Sequence, residues 1–306
     1  MKSGLYLSTL IVFLIVVLVP SAALAKDESP PLPLHGIEGM GGVFSTYSAY
    51  LVNPAKPGKV FGLPSAGLTH VHLGNGRHLE AFTLTETLWD RVELGYAWNR
   101  LDIGDLPQEV EQVTGLEIEE DSVDLHHFNA RIQLIKEGNF DQPWLPALTL
   151  GCHYKTNQDI DSIDDDLEGT LDSIGIKDDD GLDFTLYASK MVTALPRPVL
   201  FNLGLRSTEA AHLGLLGFTN ERELLFEGNV VVFVTDQLGM SVEYRQKPDE
   251  YDEIPGLVEE EEDWFTICGC YVVNEHFSIS GGYGNFGDVL NHQANNSWGV
   301  KFKWEF

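Results

Sequence analysis

The chain has 306 residues, with 47 Asp and Glu against 19 Lys and Arg, and a formal net charge of −28. A chain this acidic is repelled by nucleic acid and by anionic headgroups, so neither is expected as a direct partner. Cys152, Cys268 and Cys270 are too few and too unevenly spaced for a disulfide framework and read as small space-filling side chains.

Residues 1–25 carry Lys2, an apolar run from Leu5 to Val19 and then Ala23-Leu24-Ala25, the pattern of a secretory signal peptide. Beyond them no apolar run is long enough to span a membrane as a helix, so a crossing would have to be made by strands. Residues 26–65 form a Pro/Gly-rich segment. Its first part, KDESPPLPL, is an extended linker, and HGIEGMGGVFSTYSAYLV after it is glycine-rich and weakly patterned. Such a segment either folds into a barrel as a plug or lies across its periplasmic mouth.

Residues 66–306 alternate with a period of two. The first two stretches, about Gly67 to Leu73 and His78 to Leu88, pattern poorly. From there the alternation is regular: Val92, Leu94, Tyr96 and Trp98 oppose Arg91, Glu93 and Asn99, and Phe128, Ile132 and Leu134 oppose His127, Asn129 and Arg131. The same reading extends through Leu148–Lys155, Leu182–Ser189, Val199–Arg206, Glu223–Thr235, Leu238–Gln246 and Phe277–Asn285. It ends on Trp298, Val300, Phe302, Trp304 and Phe306, set against Gly299, Lys301, Lys303 and Glu305. Joins near Trp89, Asn139, Leu195, Asp236 and Asn274 are short, and those around Val113, Asp166, Leu213, Pro255 and Val289 are long. This predicts an all-β chain, a transmembrane antiparallel β-barrel of about 12 strands of the bacterial outer-membrane type, with both termini periplasmic. Phe302, Trp304 and Phe306 then form the aromatic insertion signal presented to the barrel-insertion machinery, with their rings in the interfacial girdle.

Parity places Arg91, Arg131, Lys155, Arg206, Arg245, Lys247, Lys301 and Lys303 inward, near Glu93, Asp183, Glu223, Glu227, Glu243 and Glu305. Arg131, Arg206, Glu243, Arg245, Lys301 and Lys303 are the candidates to set the selectivity of a narrow, porin-like channel for an unknown solute. The competing expectation is a closed barrel in which these charges pair, serving as an envelope scaffold or a surface-binding protein through acidic outer loops. The acid is concentrated between Asp159 and Asp180 and from Glu259 to Asp263. Asp164, Asp165, Asp166, Asp178, Asp179 and Asp180 are candidate Ca²⁺ ligands that could bridge to lipopolysaccharide phosphates, although the spacing fits no EF-hand and solvated loops are the simpler reading.

Catalytic motifs are absent from the sequence: it has no nucleophile elbow, no His-Glu-x-x-His, no phosphate loop and no dinucleotide fingerprint, so the expectation is not an enzyme. His70, His72 and His78 read as surface imidazoles at a barrel rim. NHQANN, from Asn291 to Asn296, resembles the Asn-His-x-Ser-Asn-Gly stretch of outer-membrane phospholipase A. Ala294 stands where that family has its nucleophilic Ser, and a base without a hydroxyl has nothing to activate.

The stretches IEGMGG, DRVELGYAWNRLDIG, LPALTLGCHYKTN, DDDGLDFTLYASK, LFNLGLRSTEAAHLGLLGF and VEYRQKPD run in this order over most of the chain. Together they resemble a bacterial outer-membrane barrel family catalogued as domain of unknown function 3034. The resemblance implies a barrel with no established activity and no functional residues to carry over. The chain departs from it in the acidic loop from Gln158 to Asp180 and in its first strands.

Overall fold

Twelve of the alternating segments meet as neighbours. In chain order they are β1 (Ser65–Gly74), β2 (Arg77–Leu88), β3 (Val92–Asp102), β4 (Ser122–Ile135), β5 (Ala147–Asn157), β6 (Asp180–Val192), β7 (Val199–Thr208), β8 (Glu223–Phe233), β9 (Leu238–Arg245), β10 (Trp264–Val272), β11 (Phe277–Asn285) and β12 (Ser297–Glu305). The computed structural model describes residues 34–248, 251, 254, 258, 261–289 and 292–306. Residues 1–25, read above as a signal peptide, the linker at 26–33, Glu259, Glu260 and Asn291 lie outside the described residues. Each strand pairs antiparallel with the next, and β12 closes on β1 from Ser65↔Glu305 to His72↔Trp298, giving a closed twelve-stranded barrel. Closure removes every sheet edge, so the wall's backbone groups are satisfied within the wall.

Short connections gather at one mouth with both ends of the barrel. At the other mouth, residues 103–121, 158–179, 209–222, 246–263 and 286–296 form long connections. The exception at that mouth is Asn75-Gly76 between β1 and β2, both at positive φ (47° and 75°), which makes a two-residue hairpin. Around the wall Leu68, Phe82, Leu94, Phe128, Leu150, Phe184, Leu203 and Phe302 face outward and exposed. A continuous apolar belt of this kind is what lipid covers.

β1 and β2, poorly patterned in sequence, are full staves of 10 and 12 residues. Their pattern is weak because it inverts at the long-loop end. There Val71, Leu73, Leu79, Leu101, Val123 and Leu125 point inward and are buried, while His72, His78, Asp102, Asp124 and His126 on the same strands point outward. The inner apolar side chains pack under the long loops. Helix α1 (Leu106–Thr114) contributes Leu106 and Val110, and α2 (Ile160–Asp166) contributes Ile160 and Ile163, to one apolar cluster that also takes in Leu167, Leu171, Leu213, Phe218 and Phe286. The acidic loop expected to be merely solvated is therefore a folded part of a cap. Ile160 and Ile163 share the buried face of α2, and Leu167 and, after the turn at Glu168-Gly169, Leu171 continue it, while Asp161, Asp165 and Glu168 are exposed.

Residues 56–61 are exposed at the short-turn mouth, where Phe61 bridges Leu88, whereas residues 34–52 lie inside the barrel. His35, Ile37, Glu38, Met40, Phe44, Thr46, Tyr47 and Ala49 are all buried there. The segment is made of turns, with Gly36 N–H on the Met40 carbonyl at 2.7 Å and an isolated bridge between Gly42 and Tyr47. It touches the wall backbone where glycine allows: a Cβ on Gly39 (φ 77°) would come within 2.5 Å of the Tyr96 carbonyl oxygen.

One parity assignment is corrected. Arg91 sits just outside β3, after Trp89 and Asp90 at φ 49° and 58°, and its exposed guanidinium meets the Gln133 and Leu134 carbonyls. Strand parity does not hold across that left-handed turn. Glu223, the first residue of β8, keeps the parity of its buried partner Thr208 but is exposed at the long-loop end, away from the charges of the lumen.

Candidate functional site in the lumen

Glu38 is the single acid in the glycine-rich stretch from Gly36 to Gly42, and the turns there deliver its side chain to the barrel axis. Its carboxylate meets Arg245 at 2.9 Å, Arg206 at 3.0 Å and Lys155 at 3.1 Å, with His127 Nδ1 3.9 Å away. Asp183 on β6 holds Lys155 and Arg206, both at 2.7 Å. Glu227 on β8 accepts from Arg206 Nε at 2.5 Å and from Arg245 Nε at 3.2 Å, and Tyr187 donates to it as well. The Tyr47 ring lies 4.8 Å from the Arg206 guanidinium carbon, a cation–π contact. Strand alternation explains the placement, because each of these wall residues is an inward position on its strand.

Three further sets of contacts fix the segment by its main chain. Arg131 and Glu93, opposite each other on β4 and β3, pair at 2.7 Å. Arg131 also donates to the carbonyls of Gly41 (3.1 Å), Ser48 (2.7 Å) and Tyr50 (3.3 Å), while Glu93 accepts from Gly41 N–H (2.9 Å) and Val52 N–H (2.5 Å). Glu243 on β9 gathers three consecutive amides, those of Phe44 (3.2 Å), Ser45 (3.0 Å) and Thr46 (2.9 Å), and the Thr46 hydroxyl (2.7 Å). Lys301 on β12 donates to the carbonyls of His35 and Val43.

Of the six lumen candidates, Arg131, Arg206, Glu243, Arg245 and Lys301 all touch the inserted segment. Lys303 is inward too, but it pairs with Glu305 on its own strand. Sequence reasoning missed Glu38 and Tyr47. The available signal was a lone acid in a stretch otherwise of Gly and apolar residues, flanking a barrel with more inward cations than acids.

Among the other predicted residues, Phe302, Trp304 and Phe306 face outward and exposed, with Phe277 stacked on Phe302 at 6.2 Å. In the acidic loop Asp164 accepts the Leu171 amide at 3.0 Å and Asp166 the Glu119 amide at 2.9 Å, and among the described residues no three metal-type ligands converge. His292 meets Asn75 Nδ2 at 2.8 Å and the Leu73 carbonyl at 3.0 Å. Ala294 is fully buried, and the Ser297 hydroxyl donates to its carbonyl at 3.0 Å.

The family described as "Protein of unknown function (DUF3034)" matches residues 36–303. Among curated proteins none matches the chain in sequence. Among solved structures, the KdgM porin in complex with disordered oligogalacturonate is 10% identical, with 79% of this chain and 99% of its own covered and a TM-score of 0.46. The NanC porin is 8% identical, with 79% and 98% covered and a TM-score of 0.46. The COG4313 outer membrane channel from Pseudomonas putida F1 is 10% identical, with 93% and 100% covered and a TM-score of 0.43. At these identities and scores no activity passes from them to this chain.

Proposed function

The chain belongs to the DUF3034 family of proteins of unknown function, and we propose from its own geometry that it is an outer-membrane conduit for a small solute, held shut by residues 34–52. The outer-membrane setting is supported by the apolar belt and by an even number of staves, which leaves both barrel ends at the short-turn mouth. That setting would bring outer-membrane lipid and lipopolysaccharide as partners. It would also make Phe302, Trp304 and Phe306 the contact for the insertion machinery.

The observation that carries the proposal is the kind of contact that holds the segment. Ion pairs and main-chain hydrogen bonds join it to a wall that is already closed without it. The apolar clusters it shares with the wall at mid-barrel are small, one around Met40 and Tyr47 and another around Leu34, and only Ile37 and Phe44 of the segment reach the larger cluster under the cap. Such an insert is separable from the wall. Vacating it would leave Arg131, Lys155, Arg206, Arg245 and Lys301 facing Glu93, Asp183, Glu227 and Glu243, an excess of cations that favours anions at a constriction. A permanently closed scaffold is the second reading, favoured by how completely the network is paired.

Planar-bilayer conductance separates the two readings. The full chain should insert and stay silent. A variant lacking residues 34–52 should conduct with anion preference, and Glu38→Gln should show brief openings. Silence from a deletion variant that still migrates as a folded barrel would favour the scaffold.

A further inference from the structure

We infer that the loop cap holds a binding site for a small, uncharged aliphatic molecule, separate from the lumen network. A cavity of about 250 Å³ lies between α1, α2 and the turn at Leu171–Ile174, lined by Leu106, Val110, Ile118, Ile163, Leu167 and Leu171 among others. For scale, an apolar cavity of about 150 Å³ stays dry and takes up benzene.

The chemistry of the lining narrows the ligand. Among the described residues it holds aliphatic side chains and no aromatic ring, and of its three hydroxyls those of Thr114 and Ser173 are engaged while Thr170 is exposed. Thr114 donates to the Val110 carbonyl at 2.8 Å and accepts the Leu116 amide at 3.1 Å, and Ser173 donates to the Thr170 carbonyl at 2.7 Å. A polar head would meet at most the exposed Thr170 hydroxyl, and among the described residues the lining has no carboxylate to take an ammonium group.

Charge at the rim narrows it further. The spacing that turns Ile160, Ile163 and Leu167 inward leaves Asp161, Asp165 and Glu168 exposed beside them, and Glu111, Glu117 and Glu119 are exposed on the facing loop. The cation of that loop, Lys177, is paired with Asp172 at 2.9 Å. A field of one sign disfavours anionic amphiphiles, so a fatty-acid anion is a poor fit and a neutral hydrocarbon a good one. The cavity wall also belongs to one apolar cluster that continues inward through Leu215 and Phe218 to Ile37 and Phe44 of the inserted segment. The inference goes beyond the conduit reading and does not require that segment to move.

The test uses the full chain in lipid nanodiscs with isoleucine methyl groups labelled for NMR, titrated separately with n-octane and with sodium octanoate. Octane should shift the methyls of Ile118, Ile163 and Ile176 saturably. It should leave lipid-facing Ile132 and Ile279 unmoved, and octanoate should bind on the order of tenfold more weakly or worse. Ile163→Trp, which fills the cavity, should abolish the shifts. Val110→Phe serves the same purpose should the first variant misfold. Equal, unsaturable shifts at the lipid-facing methyls would mean partition into the bilayer and overturn the site. Octane shifts that survive both fillings would do the same. Octanoate binding as tightly as octane would overturn the assignment to an uncharged ligand.

Discussion

The barrel has two storeys with opposite polarity. At the level of the belt Leu94 and Phe128 face out while Glu93 and Arg131 face in. One or two turns of pleat higher on the same strands, Asp124 and His126 face out while Leu101, Val123 and Leu125 face in. Strand geometry is the same in both storeys, so the difference comes from the surroundings: lipid outside and a polar insert within below, water outside and an apolar cap within above. The apolar side of a strand marks whichever side lacks water.

The strongest way to break the lower storey is through its shared acid. Glu38→Ala leaves Lys155, Arg206 and Arg245 buried with one carboxylate fewer, and removing one partner from a buried ion network costs about 3–5 kcal/mol. Denaturant unfolding of the refolded barrel in detergent should register this. Glu38→Gln, which keeps hydrogen-bonding atoms, should lose less. A null result for both would mean that the segment does not hold the wall charges in solution.

The boundary between the storeys can be located next. Leu203→Arg, in the belt, should destabilise the barrel in bilayers by about 2–4 kcal/mol, the penalty for Arg near the membrane midplane. His126→Arg, outward on β4 but above the inversion, should cost no more than about 1 kcal/mol, the loss of the half-buried imidazole's hydrogen bond with the Tyr96 hydroxyl at 2.8 Å. Leu125→Ala, inward at the same height, should cost about 2–4 kcal/mol through the cavity it leaves. If His126→Arg cost as much as Leu203→Arg, the belt would reach higher than the inversion.

The same contrast explains what the sequence could reveal. Staves such as Val92–Trp98 and Ser297–Glu305 were legible because one rule of alternation runs along their whole length. β1 was not, because Leu68 faces lipid while two pleats further on His72 faces out and Val71 faces in, so the two halves cancel in any single pattern. The inward charges are legible from parity, which fails at Arg91, beyond a left-handed turn, and leaves Glu223 exposed at a strand end. Glu38 was not legible, because its partners are set by closure of the barrel around a segment with no period of its own. The cap was hidden for another reason: the density of Asp between 159 and 180 masks Ile160, Ile163 and Leu167, whose spacing is helical.

The smallest expected effect concerns how the upper storey answers to pH. His212 is buried in the 209–222 connection, with Nε2 2.7 Å from Glu261 and its ring stacked on Tyr251 at 6.4 Å. Burial holds its pKa below the ordinary value of about 6.5, even though Glu261 pulls the other way. Glu261 itself stays below the usual carboxylate range: burial raises it, but His212 and Lys247 together outweigh that. In the opened loop His212 takes up a proton that it refuses when folded, so cap stability is complete above about pH 6.5 and declines as pH falls below it. The Glu261 contribution is present above its unfolded value and lost only at lower pH, as the folded carboxyl is protonated. Amide protection factors across residues 210–218 should therefore fall between pH 7 and pH 5, while those of β7 at the belt stay level. His212→Phe keeps an aromatic ring against Tyr251 and should flatten the first decline, leaving only the later one. Protection that stays constant to pH 5 in the unmodified chain would mean that His212 is not held neutral by the cap.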